Sequence, residues 1–168
     1  FRMATFRPAT SRNPQTLADH EAVRLRVMRQ VYYSSKGKQS IDLVLFVNGL
    51  PVATLELKTD NVQSLDDAVK QYRHDRSPKG EPLLGFANRC LVHFAVSNDR
   101  VAMTTRLAGP QTHFLPFDRG NDMASGNPVN PDGAATSYLW ERVLQRDAWL
   151  HILGRLLHLE HSTDVDPI

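Results

Sequence analysis

Two apolar segments separated by Asn48-Gly49 constrain the fold of this chain more than any other feature. The first, residues 41–47, reads IDLVLFV, and the second, residues 52–58, reads VATLELK. Asparagine and glycine both tolerate the positive φ angles of a tight turn, so this dipeptide between apolar runs is a strong hairpin signal. We therefore predict that the two segments form adjacent antiparallel strands.

Three charged residues interrupt this apolar hairpin. Asp42 lies near the start of the first strand, and Glu56 and Lys58 lie in the second, next to leucines. Burying a charge in such a setting costs several kcal/mol unless the charge is paired or binds a metal. Because side chains alternate along a strand, Glu56 and Lys58 share one face of the sheet.

The length of the hairpin loop decides whether Asp42 joins them. Residues that oppose each other in a hairpin have numbers with a constant sum, and this sum is 98 if Asp42 opposes Glu56. A two-residue Asn48-Gly49 turn gives 97 and moves Asp42 to the other face. We predict an odd-length or bulged connection, which places the two Cβ atoms about 5 Å apart.

Two carboxylates at this separation suit one small divalent cation. Asp42 and Glu56 are the predicted metal ligands, and Mg²⁺ is the predicted ion, with oxygen distances of about 2.0–2.1 Å. Such an ion polarises a phosphate and lowers the pKa of a bound water. The Lys58 ammonium can hold the attacking hydroxide, or it can offset the negative charge that builds on the phosphate in the transition state. The pattern predicts phosphodiester hydrolysis.

The rest of the chain predicts an α/β fold with a mixed central sheet flanked by helices. Strands alternate with helical patterns, and turn residues separate them. The further predicted elements are a short helical turn over 16–22, a strand over 23–33, a helix over 64–76, a second hairpin over 91–105, an edge strand over 112–117, a long loop over 120–133 and a helix over 136–160.

Composition excludes several other classes of protein. A single cysteine, Cys90, rules out an internal disulfide and a thiolate zinc cage, and it suits a cytoplasmic location. No apolar run approaches the ~20 residues of a membrane helix, so we expect no membrane association. His93 and Cys90 are interpreted as packed core residues. The formal charge of +2 permits nucleic-acid binding without arguing for it.

The order of several phrases resembles a known family. The sequence contains SIDLVLFVNGLPVATLELK, AVKQYRHDR, CLVHFAVSNDRVAMTT, FLPFDRGN and YLWERVLQRDAWLHILGR. The succession of an aspartate, a strand-turn-strand unit and a Glu-x-Lys sequence resembles the PD-(D/E)xK nuclease motif. Together, from about residue 24 to 160, the phrases resemble the N-terminal nuclease region of the restriction (R) subunit of type I restriction-modification enzymes.

This resemblance implies an active site. Asp42, Glu56 and Lys58 match the catalytic motif, and Gln71 matches the glutamine of a Gln-x-x-x-Tyr motif on the following helix. The fourth residue after Gln71 is Asp75 rather than tyrosine, which leaves the contact of this helix with DNA open. An acidic residue from an upstream helix often completes such sites, and the candidates are Glu21 or a residue that precedes Phe1.

The resemblance also implies a domain arrangement and partners. Residues 1–135 form the nuclease domain with a core at about 23–118, and residues 136–168 form a C-terminal helix that leads toward a translocase. We expect the chain to be a fragment that begins and ends within a longer protein. Its substrate is double-stranded DNA, its partners are the methylation and specificity subunits, and ATP enters only through the missing motor domains.

Other interpretations remain open. The chain can be a repair or recombination nuclease of the same fold, or a nuclease-like module that binds DNA or docks a partner without catalysis. Asp42 can cap a strand or pair with an arginine, and Glu56 and Lys58 can be a solvated edge pair. Gln71 can be an ordinary exposed helix residue. Three basic residues near the same helix can form a patch that contacts DNA phosphates, or they can simply be solvated on the exposed face of the helix: Arg73, Arg76 and Lys79.

Overall fold

The computed structural model describes residues 4–10, 12–34, 36–59 and 64–158, and within them six strands form one mixed sheet. The strands lie side by side in chain order. In that order the elements are α1 (Pro14–Glu21), β1 (Leu25–Tyr32), β2 (Ser40–Val47), β3 (Leu50–Leu57), α2 (Leu65–His74), β4 (Val92–Val96), β5 (Val101–Thr104), β6 (Leu115–Pro116), a first π-helical turn (Leu139–Val143), α3 (Arg146–His151) and a second π-helical turn (Ile152–Leu156).

Strand pairing makes the sheet mixed. Neighbouring strands are antiparallel except β3 and β4, which are parallel and are joined through α2. A parallel pair needs a crossover, and α2 supplies it. The α/β class, with a mixed sheet and flanking helices, is therefore confirmed.

The β2–β3 hairpin combines a tight turn with a bulge. Asn48 and Gly49 form the turn, with φ angles of 49° and 84°. The register then shifts within the hairpin and leaves Val52 as an extra residue in β3, so that Leu43 pairs with Leu55 beyond the shift. A β-bulge adds one residue to one strand and so reverses which face the following side chains occupy. The predicted odd-length or bulged connection is confirmed in its bulged form.

Helix α2 begins at an N-terminal cap formed by Ser64 and Asp67. The Ser64 main-chain N–H donates to the Asp67 carboxylate at 2.8 Å, and the first turn carries Asp66 and Asp67, whose charges complement the helix dipole. The helix places Ala68 and Tyr72 against the sheet, where both are fully buried.

Two apolar clusters cover the two faces of the sheet. The cluster on the α2 side includes Ile41, Val44, Ala68, Tyr72, Leu84, Cys90, Ala95 and Leu107. The cluster on the other side includes Val23, Val47, Val52, Leu55, Val92, Phe94, Leu139, Trp149 and Leu150. Each face of the sheet is thus closed by a different part of the chain.

The predicted helix over 136–160 is wrong as a continuous element. Gln145 has an extended backbone, with φ −67° and ψ 146°, and separates the first π-helical turn from α3. The break places Arg146 where it donates to the main-chain oxygens of His20 and Glu21 at the end of α1. These long-range contacts outweigh the local helical pattern. The pattern of apolar residues cannot predict them, because they involve residues that are distant in the sequence.

The C-terminal segment packs against the sheet through Leu139, Trp149 and Leu150. Whether it leads toward a motor domain stays a prediction, and Leu159 and Glu160 lie outside the described residues. Among the helices in the described ranges, none has the length and apolar character to cross a bilayer.

A buried polar chain links α2 to the sheet. Thr54 Oγ1 lies 2.8 Å from the Tyr72 hydroxyl and 2.7 Å from His93 Nδ1, and all three side chains are buried. Burial lowers the pKa of His93 to about 4 and raises that of Cys90 to about 12. The interpretation of His93 and Cys90 as packed core residues is confirmed.

His93 should make the fold sensitive to acid. Its folded-state pKa of about 4 lies below the ordinary value of 6.5, so its contribution to stability is complete above pH 6.5 and is lost as the pH falls toward 4. At pH 5 the loss is about 2 kcal/mol. We expect the unfolding free energy of the wild type, relative to His93→Gln, to fall by this amount between pH 6.5 and 5. A ring titration near 6.5 in NMR spectra would contradict the prediction.

Candidate active site

The hairpin brings Asp42 and Glu56 together. Leu43 pairs with Leu55, and the same register places Asp42 opposite Glu56. The Asp42 carboxylate is close enough for its negative charge to raise the pKa of Glu56. The spatial relation expected from the sequence is therefore present in the structure.

A paired irregularity in β1 and β2 turns Asp42 toward β3. Ile41 and Val44 belong to the same apolar cluster although they are three residues apart, so the alternation of side chains breaks between them. As a result the Asp42 carboxylate reaches the backbone of the next strand, where Oδ2 accepts a hydrogen bond from the Leu57 N–H at 2.9 Å.

Gln30, opposite Asp42 in β1, is a site residue that sequence reasoning missed. Its Nε2 donates to Asp42 Oδ1 at 2.9 Å, and its Oε1 accepts from Ser40 Oγ at 3.0 Å. Its φ angle is 49°, an uncommon conformation for a residue other than glycine. In the sequence, Gln30 looks like any polar residue on the wet face of a strand, so no signal identified it.

Glu56 is fully buried, and Arg76 holds one of its oxygens. The Arg76 Nε donates to Glu56 Oε1 at 2.7 Å, and Nη2 donates to the Ser40 main-chain oxygen at 2.9 Å. The guanidinium also lies 5.9 Å from the centre of the Tyr33 ring. The interpretation of Glu56 as part of a solvated edge pair is wrong, because its exposure is 0%.

The role considered for Arg76 in an exposed basic patch is wrong as well. Arg76 is buried and belongs to the acidic site. Its neighbour Arg73 donates from Nε to the Thr112 main-chain oxygen at 3.0 Å, which fixes α2 to a turn, while Lys79 is exposed. Sequence spacing could not separate these three residues, since their burial depends on how α2 lies on the sheet.

Burial raises the pKa of Glu56 to about 7, and the charge of Asp42 raises it further against the opposing effect of Arg76. The second oxygen, Oε2, is buried and has no hydrogen-bond partner among the described residues. A buried carboxylate oxygen without a partner is costly. It marks a position where a cation would be stabilised.

Lys58 lies next to this pair. Its main-chain N–H donates to the Val96 oxygen at 2.8 Å, which continues the parallel pairing of β3 with β4. The backbone is therefore extended, and the Lys58 side chain projects from the same face as Glu56. The ammonium is partly exposed and makes no hydrogen bond or ion pair with the residues that the structure describes. It is available to a ligand.

Gln71 lies on α2 and makes no side-chain hydrogen bond to Asp42, Glu56 or Lys58 among the described residues. Its Oε1 is buried and has no hydrogen-bond partner within the described ranges. The adjacent Tyr72 is fully buried, and its hydroxyl lies 2.8 Å from Thr54 Oγ1. A role for Gln71 stays a prediction.

Glu21 does not approach the site. It ends α1, just before the end of β1 where Leu25 pairs with Val47, whereas Gln30 and Asp42 lie at the opposite end of that strand. The separation along β1 is about 16 Å. Glu21 is therefore too distant to serve as an upstream acidic ligand of this site.

The residues present fit a magnesium ion. Among the described residues, no group of three or more His, Cys, Asp and Glu side chains could hold a metal, and the candidate site offers two carboxylates, Asp42 and Glu56. Mg²⁺ commonly binds through one or two carboxylates and completes its octahedron with water and substrate phosphate oxygens. The unpartnered Oε2 of Glu56 is the oxygen that such an ion would use.

Comparison with known families gives one match. The family described as type I restriction enzyme R protein N terminus matches residues 11–112, which include β1 to β5 and α2 and therefore every residue of the candidate site. Searches of curated proteins and of solved structures gave no significant match.

The raised pKa of Glu56 gives the metal-free protein a characteristic dependence on pH. The folded-state pKa of about 7 exceeds the ordinary 4.5, so the stabilising contribution of the protonated form is complete below pH 4.5 and is lost as the pH rises through 7. We expect the unfolding free energy, relative to Glu56→Gln, to fall by about 3 kcal/mol over this range. The measurement is the unfolding free energy from chemical denaturation at several pH values. If it changes with pH in the same way in the wild type and in Glu56→Gln, Glu56 ionises normally and the prediction is wrong.

Replacing Gln30 separates its backbone strain from its side-chain contacts. Gln30→Gly and Gln30→Ala both remove the amide that contacts Asp42, but only glycine adopts a φ of 49° without steric cost. We expect the glycine variant to be more stable than the alanine variant by about 1 kcal/mol in urea denaturation. Equal stability of the two variants would argue against strain at this position.

Proposed function

The chain belongs to the family of type I restriction enzyme R proteins, matching its N-terminal region, and from this premise we propose that it is a magnesium-dependent endonuclease domain that hydrolyses DNA phosphodiester bonds. The observation that supports the proposal most directly is the convergence of Asp42 and Glu56, with Glu56 Oε2 buried and unpartnered. We further propose that the mixed sheet and this hairpin are a PD-(D/E)xK core.

Each residue of the site has a separate task in this proposal. Asp42 and Glu56 supply the oxygens that hold Mg²⁺, and Arg76 fixes the other oxygen of Glu56. When bound, Mg²⁺ polarises the scissile phosphate and lowers the pKa of a water molecule. Lys58 offsets the negative charge that builds on the phosphate. A water molecule bonds to phosphorus and releases one proton to the solvent, while the bond to the departing sugar oxygen breaks and that oxygen takes up a proton.

The family also suggests the setting in which this domain acts. We propose that it precedes an ATP-driven translocase in a cytoplasmic protein, and that methylation and specificity subunits select the target. In this proposal the carboxylates and Lys58 act on a metal ion and on a phosphate, which are the same for every base sequence. Sequence selection is therefore assigned to the partners.

Lys58→Ala tests the nuclease in the restored enzyme with its partner subunits. We expect DNA cleavage to fall by at least about 100-fold, because a charge that stabilises the transition state is lost, while ATP hydrolysis and translocation persist. Supercoiled plasmid is incubated with ATP and Mg²⁺, and nicked and linear products are measured.

Lys70→Ala provides the matched control. Lys70 lies on α2, is exposed and contacts Asp67 at 3.6 Å, away from the acids. Its replacement should leave cleavage unchanged. If Lys58→Ala cleaves DNA as fully as the wild type, Lys58 has no role in the mechanism. If calorimetry detects no Mg²⁺ binding that depends on Asp42 and Glu56, the result favours a module that binds DNA or a partner without catalysis.

A further inference from the structure

The edge strand β1 and the turn after it are strongly basic. Between Ala22 and Ile41 the sequence contains no acidic residue and five basic ones: Arg24, Arg26, Arg29, Lys36 and Lys38. All five side chains are exposed, and none forms an ion pair with a residue that the structure describes. This concentration of unpaired positive charge is not required by the fold.

Strand pairing divides these arginines between the two faces of the sheet. Arg26 pairs with Phe46, which packs against the apolar cluster on the α2 side, whereas Arg29 pairs with Leu43, which packs on the other side. By alternation, Arg24 and Met28 lie on the same face as Arg26. The α2 side is also the face of Glu56, whose partner Arg76 follows α2.

This part of the face is open. Helix α2 packs on β3, β4 and β5, so it does not cover β1. Met28 is 53% exposed, and Arg24 and Arg26 are exposed beside it. We call the surface formed by Arg24, Arg26 and Met28 the β1 shelf. It continues directly to Gln30, whose amide contacts Asp42.

We infer that the β1 shelf binds the phosphate backbone of duplex DNA and guides it to the acids at the end of the strand. The inference rests on the proposed nuclease function. Arg26 and Arg24 lie about 13 Å and about 20 Å along the strand from Gln30. These spacings correspond to the axial rise of roughly four and six nucleotides in one DNA strand.

Charge favours this occupant over a protein partner on this face. Arginine forms paired hydrogen bonds with phosphate oxygens, and the shelf offers two arginines with no competing carboxylate between Ala22 and Ile41. The opposite face of β1 and β2 differs in chemistry, because it forms an apolar groove of about 510 Å³ in which Arg26, at the edge between the two faces, is the one charged residue of the lining; the rest is apolar and includes Leu25, Val27, Leu43, Phe46 and Trp149. Phosphates would not be stabilised there.

The test measures the salt dependence of DNA binding by the full 168-residue chain. A fluorescent 30-base-pair duplex without Mg²⁺ is titrated by anisotropy between 50 and 300 mM salt. Removal of two phosphate contacts in the double variant Arg24→Gln/Arg26→Gln should weaken binding about tenfold and reduce the slope of log affinity against log salt by about 1.8.

Arg29→Gln is the matched control, since it removes the same charge from the same strand but on the opposite face. It should change the slope by less than half as much as either shelf arginine replaced singly. Equal effects of Arg26→Gln and Arg29→Gln, unchanged binding by the double variant, or no duplex binding by the wild type would each overturn the inference.

Cleavage by the restored enzyme distinguishes this inference from the proposed function. If the double variant binds DNA like the wild type while Lys58→Ala abolishes cleavage, the nuclease proposal stands and the shelf is wrong. If the shelf arginines control binding while Lys58→Ala cleaves normally, the shelf stands and the catalytic assignment is wrong.

Discussion

The ion pair between Glu56 and Arg76 is the interaction on which the candidate site depends. A carboxylate inside a sheet is unfavourable unless it is paired, and breaking a buried pair by removing one partner leaves an uncompensated charge. Arg76 also donates to the Ser40 oxygen, so a single guanidinium joins the strand that carries Glu56 to the start of the strand that carries Asp42. It compensates one oxygen of Glu56 and leaves the other without a partner.

Two departures from regular strand geometry make the approach of the acids possible. The extra residue at Val52 shifts the hairpin register, which puts Asp42 and Glu56 on one face. The break in alternation at Gln30 and Asp42 then turns the aspartate toward the Leu57 N–H. A regular hairpin with the same Asn48-Gly49 turn would place the two carboxylates on opposite faces. The irregular backbone, rather than the residue types alone, therefore creates the site.

Sequence analysis identified the strands, helix α2 and the hairpin acids because each depends on local periodicity and turn chemistry. It anticipated the bulge because the face of Asp42 follows from counting residues in the hairpin. It could not identify Gln30 or Arg76 as site residues. The role of Gln30 depends on the backbone irregularity in β1, where its φ angle is 49°, and the role of Arg76 depends on how α2 lies across the sheet. The break at Gln145 was missed for the same reason, because contacts of Arg146 with α1 determine it.

The protonation of Glu56 connects the stability of the fold to the proposed chemistry. With its pKa raised to about 7, a substantial fraction of Glu56 carries a proton at neutral pH in the absence of metal. A cation that binds between Asp42 and Glu56 has to displace that proton, so part of its binding free energy is spent on ionising the glutamate. Arg76 reduces this cost because its charge opposes the effects of burial and of Asp42 on the pKa. The buried arginine that pairs with Glu56 therefore also favours the charge state that a metal requires.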